Sequence, residues 1–418
     1  MASAINTKNN TTNTKEKESY NLTIIKKKMT SLQVTRFITN EGTLKFEVSE
    51  SNLPTESDLK DDQVLIKVLA APINPSDIGP LFAPSYGGIG RFDGIETSKD
   101  SNGRVTTSLP IPKRTFKGMQ GSKMIGRKNK VGNEGAGRVI AAGKGAKAQA
   151  LKGKLVACMG MGGSYSQHAV VNVEQCMAHH DTTTPEEAAS SFVNPLTALG
   201  MVKTMKAEGH TGIVHTAAAS QLGQMLVKIC LADNVPLVNI VRRPAQVTLL
   251  KSIGARWVVN STSPTYEKDL VQALVESGAT IAFDATGGGT LAMEIIKSME
   301  AAANLKGGAK SNYGSTVQKK LYFYGGLNAG EPMLLRPFVM GGFSWTISGF
   351  LLGSGTAAIT DADKQRVADE IKTTFATSYG SKLSLEDMLN PNAMKEYQAQ
   401  KSNSKALVVP HMASGSRM

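Results

Sequence analysis

The chain has 418 residues, 41% of them apolar and 19% charged, an ordinary globular composition with room for two or three domains. Its formal charge of +13 is concentrated, with net +4 in residues 1–28 and net +7 in residues 91–130, so it is not the spread-out signature of a nucleic-acid binder. No run reaches the ~18 apolar residues of a membrane span, no signal-peptide core opens the chain, and the three cysteines show neither disulfide nor metal-knuckle spacing.

Residues 1–28, rich in Asn, Thr, Lys and Ser, read as a disordered leader. A cytoplasmic location is expected, with an organelle such as the mitochondrion the alternative if this leader is a targeting segment. Val34 to Ile38 and Thr43 to Val48 predict a hairpin, and Gln63 to Ala70 a strand. The following Ala71-Pro72-Ile73-Asn74-Pro75-Ser76-Asp77 predicts a rigid loop, because it carries two prolines. Residues 87–130 lack periodicity and predict an insertion or a long loop. A turn over Gly132 to Gly137 precedes short strands over Arg138 to Ala142, Lys154 to Met159 and Tyr165 to Val171. Cys158 and Cys230 fall in apolar segments and read as core. Pro185 to Ser191 predicts a short helix, and Asn194-Pro195 has the N-cap and N1 chemistry of another.

Gly212 to Arg243 reads as half of a dinucleotide-binding unit: a strand to Thr216, a small-residue turn over Ala217 to Gln221, a helix from Leu222 to Ala232 and a strand from Pro236 to Val241. In such a unit the turn brings a pyrophosphate to the N–H groups of the helix start. The usual Gly-x-Gly-x-x-Gly appears as Ala218-Ala219-Ser220-Gln221-Leu222-Gly223, keeping only the last glycine, which allows close helix–strand packing. Where an NAD site places an acid on the ribose, this chain has Arg242-Arg243, whose guanidinium groups suit a 2′-phosphate; the expected cofactor is NADPH. Strands and helices then alternate through Thr280 to Asp284, followed by Thr286-Gly287-Gly288-Gly289, and Lys320 to Tyr324, followed by Gly325-Gly326. Thr286, Gly325 and Gly326 are thereby placed at the carboxyl ends of a doubly wound parallel sheet, where ligands bind. Helices over Asp363 to Thr377 and Leu385 to Met388 and a strand over Ala406 to Val409 are expected to return to the first domain, and 411–418 to be a tail.

The order of a β-rich domain with Asn-Pro-Ser-Asp, a Gly-Asn-Glu-Gly-Ala-Gly turn, an Asn-Pro-Leu-Thr-Ala helix start and a late Rossmann unit resembles the medium-chain dehydrogenase/reductase superfamily. Within it the likeness is to the zinc-free quinone oxidoreductases and mitochondrial-type 2-enoyl thioester reductases. The resemblance implies an α/β fold with a GroES-like β-rich catalytic domain over residues 29–190 and 345–410 and a Rossmann domain over 191–344. It implies hydride transfer from NADPH to an enoyl thioester, an enone or a quinone by a homodimer, with no metal, since Asn74 and Asn133 stand where zinc-dependent relatives have ligands. It also assigns Thr197 and Tyr165 to the nicotinamide pocket, Ser220 to the phosphate turn, and Tyr86 with Asn74 to the catalytic set. Tyr165 as a core aromatic and Tyr86 as a covering loop residue are the bland alternatives. A non-catalytic NADPH-binding protein is the rival function.

Overall fold

The computed structural model describes residues 29–83, 94–160, 163–307, 314–328, 330–334, 344–351, 358–399 and 405–415. The leader 1–28 and Tyr86 lie outside the described residues. The expected hairpin is present as β1 (Thr30–Ile38) antiparallel to β2 (Thr43–Asn52). Leu44, Phe46 and Val48 alternate with partly exposed neighbours, so β2 turns one face to a core shared with Phe82 and Tyr397.

After β3 (Gln63–Pro72) the predicted rigid loop is instead the start of a helix, α1 (Pro75–Phe82). Pro72 ends the strand and Pro75 occupies the first helical turn, where the missing N–H costs nothing. Asp77 accepts the Asn74 N–H at 2.8 Å and closes a capping box.

Residues 94–130, within the segment expected as an insertion or a long loop, extend the sheet with β4 (Glu96–Lys99), β5 (Val105–Pro110), α2 (Lys113–Gly118) and β6 (Asn129–Lys130). They give the order β4-β5-β2-β1-β6. β4 is exposed along its whole length, so no alternating pattern marks it.

The Gly132 to Gly137 segment, expected as a turn, runs into β7 (Glu134–Ala142). Gly137 is required by a close crossing, since a Cβ there would lie 2.1 Å from the Lys67 carbonyl oxygen. β8 (Leu155–Met159), β9 (His168–Asn172) and β10 (Cys176–Ala178) continue this second sheet. Cys158 and Cys176 face each other across β8 and β10 with sulfurs 3.5 Å apart, a pairing that their sequence separation conceals.

The expected Rossmann sheet is present with six parallel strands: β11 (Ile213–His215), β12 (Leu237–Val241), β13 (Trp257–Asn260), β14 (Ile281–Asp284), β15 (Lys319–Phe323) and β16 (Trp345–Gly349). Their order is β13-β12-β11-β14-β15-β16, which reverses beside β11 and opens a crevice at the carboxyl ends. The sheet thus runs five residues past the expected limit at 344, and all of β16 is parallel to β15. Its helices include α3 (Val193–Ala207), α4 (Gln221–Ala232), α5 (Pro244–Ser252), α6 (Tyr266–Ser277) and α7 (Leu291–Leu305). Phe192 is the N-cap of α3, so Asn194 and Pro195 lie within its first turn and not at its boundary.

The C-terminal segment returns to the first domain: β17 (Ser381–Leu383) and β18 (Ala406–Val408) complete the order β10-β8-β7-β3-β18-β17, with β9 also on β3. The start of the expected tail is tied down, as Ser414 and the Gly415 N–H both donate to Asp387.

Gly223 is one of the two tightest glycine approaches in the Rossmann half among the described residues, with Gly288 the other. A Cβ there would lie 2.1 Å from the Ala218 carbonyl oxygen. Gly223→Ala should therefore destabilise the protein by about 1–3 kcal/mol, the usual cost of overpacking. An unchanged urea midpoint would contradict this close packing.

Candidate active site

Beyond β11 the chain passes through Ala217, held in the left-handed region at φ 49, a strained position for a residue with a Cβ. Ser220 then caps α4, its hydroxyl oxygen accepting the Gly223 N–H at 3.1 Å. The N–H groups of Gln221 and Leu222 lie in the first turn, where a helix offers them no partner. Both residues line a cavity of about 1070 Å³. The Gln221 side chain donates to the Ser378 carbonyl at 2.5 Å, while its buried Oε1 has no partner among the described residues. This end of the cavity suits an anion: free helix N–H groups, a dipole of the right sign and small side chains.

Of the expected cofactor residues, Thr197, Ser220, Gln221, Leu222, Gly325 and Gly326 line this cavity. Ala218 and Gly223 are buried behind the turn. Thr286 points its hydroxyl at Asp284 (2.6 Å), beside the cavity-lining Ala285. Arg242 and Arg243 are exposed after the end of β12, next to β11, and are not part of the cavity wall. Tyr165 is fully buried, donates to the Pro72 carbonyl at 3.2 Å and packs in the first domain's core; it does not line the cavity itself but stands behind the lining residue Asp77.

Asn74, expected in the catalytic set, is 1% exposed and does not line the cavity either. Its amide is committed at both ends, with Nδ2 donating to Glu134 at 2.8 Å and Oδ1 accepting from Lys405 at 2.8 Å. Glu134, wholly buried, uses its other oxygen to accept the N–H groups of Phe192 and Val193, each at 2.9 Å. Burial pushes its carboxyl upward, opposed by Lys405 and by these hydrogen bonds.

Lys405 lines the cavity, as do Asp77, Asn194, Tyr324 and Arg36, and none of the five was singled out as a site residue from sequence. Burial lowers the Lys405 ammonium to about 8, against the pull of Glu134 and Asp77. Burial raises Asp77 to about 7, although the N–H groups of Asn74 and Asn133 favour its ionised form. Asp77 was legible as the last member of Asn-Pro-Ser-Asp. Asn194 was legible as the first member of Asn-Pro-Leu-Thr-Ala, whereas Arg36, Tyr324 and Lys405 lie in or beside ordinary strands and carry no local signal.

Among the described residues no three His, Cys, Asp or Glu side chains converge as a metal site requires. His179 and His180 do not act together: His179 bonds Ser191 at 3.0 Å and His180 bonds Asp369 at 2.7 Å.

No family model matches the chain. It is 25% identical over 308 residues to a mitochondrial enoyl-[acyl-carrier-protein] reductase 1 from Debaryomyces hansenii, covering 68% of this chain and 71% of that one. The corresponding Bos taurus protein is 27% identical over 201 residues, 47% of this chain and 44% of its own length. Among solved structures, a Mesorhizobium loti protein named as a candidate NADPH:quinone reductase superposes with TM-score 0.63 at 23% identity, covering 91% of this chain and 98% of that one. An Etr1p complex with NADP and crotonyl-CoA gives TM-score 0.59 at 16% identity over 91% and 100% of the two chains. The shared fold is that of the medium-chain dehydrogenases/reductases, a β-rich domain joined to a Rossmann domain.

Across the cavity wall, Tyr324 stacks on buried His215 and shares a hydrogen bond with its Nε2 at 2.7 Å. Burial lowers His215 from 6.5 to about 3. On acidification the unfolded chain therefore binds this proton first, so the stability His215 contributes is complete above pH 6.5 and is lost as pH falls towards 3. Buried His179 acts in the same direction and Asp77 in the opposite one. His215→Asn should reduce the loss of unfolding free energy between pH 7 and 5 by about 2 kcal/mol. Parallel stability curves for the two proteins would contradict a neutral, buried His215.

Proposed function

We propose that this chain is an NADPH-dependent, zinc-independent reductase acting on a 2-enoyl thioester, with enones and quinones as further acceptors. The carrying observation is the cavity that joins the N-terminus of α4 to the polar wall formed by α1, the Asn129 to Asn133 segment and Lys405. One end suits a dinucleotide and the other is roomy enough for a second molecule, as hydride transfer between two reactants demands. The relatives are named as enoyl reductases, and a similar structure is described with both NADP and crotonyl-CoA, which favours catalysis over cofactor binding alone.

The bound cofactor supplies the hydride. The residues of this chain do the holding. Gln221 and Leu222 offer N–H groups to the pyrophosphate, and the Lys405 ammonium adds positive charge to the same cavity. Thr197 and Gly325-Gly326 line the space for the nicotinamide. Arg242 and Arg243, beside the turn and without an ion partner among the described residues, are available for a 2′-phosphate. Asn74 acts as a positioning residue, holding Lys405 and Glu134 in register. Tyr86 keeps its expected role as proton donor to the reduced acceptor, outside the described residues. Asn133 supports zinc independence, its amide being turned to the Ser76 hydroxyl at 3.3 Å.

β16 is one of the two rim strands of the Rossmann sheet among the described residues, and its unpaired edge is where the expected homodimer would join. No helix described is long and apolar enough to cross a membrane. The mitochondrial names of the relatives favour the organellar alternative over the cytoplasm.

The test is NADPH oxidation against crotonyl-CoA, an enone and a quinone, repeated with NADH. NADPH should be preferred by more than tenfold, which corresponds to about 1.4 kcal/mol of lost phosphate contacts in NADH. Arg242→Ala combined with Arg243→Ala should erase the preference. Equal use of NADH by the unmutated protein would overturn the cofactor assignment, and oxidation with none of the acceptors would overturn the reductase reading.

A further inference from the structure

Arg36 is 7% exposed and lines the cavity from β1. One of its guanidinium nitrogens donates to the Ala83 carbonyl, while its buried Nε has no hydrogen-bond partner. Among the described residues no carboxylate pairs with it, and burial lowers its pKa with no opposing charge nearby. A buried cation without a counter-ion is costly, several kcal/mol by general experience, and native proteins normally pair such a group. A neighbouring strand brings a second cation to the same cavity. In the β1–β6 register Arg36 pairs with Asn129 and Thr35 with Lys130, and exposed Lys130 also lines the cavity. Two basic residues, buried Arg36 and exposed Lys130, thus line the same cavity, a charge for which a neutral acceptor has no use.

We propose that Arg36, with exposed Lys130, recognises an anionic group carried by the acceptor substrate, a phosphate or a carboxylate. This rests on the reductase reading, but it concerns acceptor specificity rather than hydride transfer. The planar guanidinium can offer paired charge-assisted bonds to either anion, which a neutral quinone or a simple enone cannot receive. The counter-charge that Arg36 lacks among the described residues is then supplied by the substrate, and discrimination follows from leaving the cation unpaired when a neutral acceptor enters.

Equilibrium binding of saturated, unreactive ligands to the NADPH-loaded protein tests this without turnover. Butyryl-CoA against butyryl pantetheine reads the phosphate arm, and monomethyl succinate against dimethyl succinate reads the carboxylate arm. The unmutated protein should prefer the anionic member of one pair by at least tenfold, which identifies the source of the anion. Arg36→Met should abolish that preference with the neutral member bound as before, and Arg36→Lys should restore part of it. No preference in either pair, or equal weakening of both members, would overturn the proposal. If Arg36→Met unfolds at lower temperature than the unmutated protein, exposed Lys130→Met is read instead; it should reduce the preference at least twofold, and an unchanged preference would overturn the proposal. Turnover of crotonyl-CoA is measured separately, so a failure of the reductase reading and a failure of anion recognition give different results.

Discussion

The buried carboxylate of Glu134 holds the two domains in working relation. One oxygen accepts from Asn74, the cap of α1, and the other from the first N–H groups of α3. An anion at a helix N-terminus is favoured by the dipole, and the ammonium of Lys405, reached through Asn74, balances the charge. Such a buried ion group is delicate, because removing one partner strands the other and costs roughly 3–5 kcal/mol. The arrangement is tied to function because α3 carries Asn194 and Thr197 into the cavity, α1 carries Asp77, and Lys405 lines it directly. An amide, a carboxylate and a lysine join these elements in this chain.

The opposite wall is set by backbone more than by charge. The turn after β11 lacks two of the usual glycines, and in it Ala217 takes the left-handed conformation while Ser220 supplies the cap of α4. The remaining glycine cannot be replaced so easily, since α4 lies directly against the Ala218 carbonyl. Strain at Ala217 is tolerated because β11 and α4 fix the chain on both sides, and most of both elements is buried.

What could be read from the sequence follows the range of the interactions. The Rossmann alternation, the Gly223 contact and the Asn-Pro-Ser-Asp segment are local patterns and were legible, although Pro75 and Asp77 make that segment a capped helix and not a loop. Residues 94–130 hid their strands because these are short, β4 being exposed throughout, and because neighbours such as β2 are far away in sequence. Lys405 and Arg36 could not be found this way. Their importance comes from Asn74, 331 positions from Lys405, and from a cavity that exists only after both domains assemble. Tyr165 shows the reverse case, a residue whose place in a pattern suggested a site and whose full burial puts it in the core.

Hydride delivery within this cavity is the central claim, and isotopic transfer tests it most directly. The protein is incubated with crotonyl-CoA and NADPH deuterated at the transferable C4 position, and the thioester product is examined by mass spectrometry and NMR. Butyryl-CoA carrying one deuterium on its β-carbon is the predicted result. NADPH that binds but is not consumed, or product whose β-carbon holds only solvent hydrogen, would contradict it.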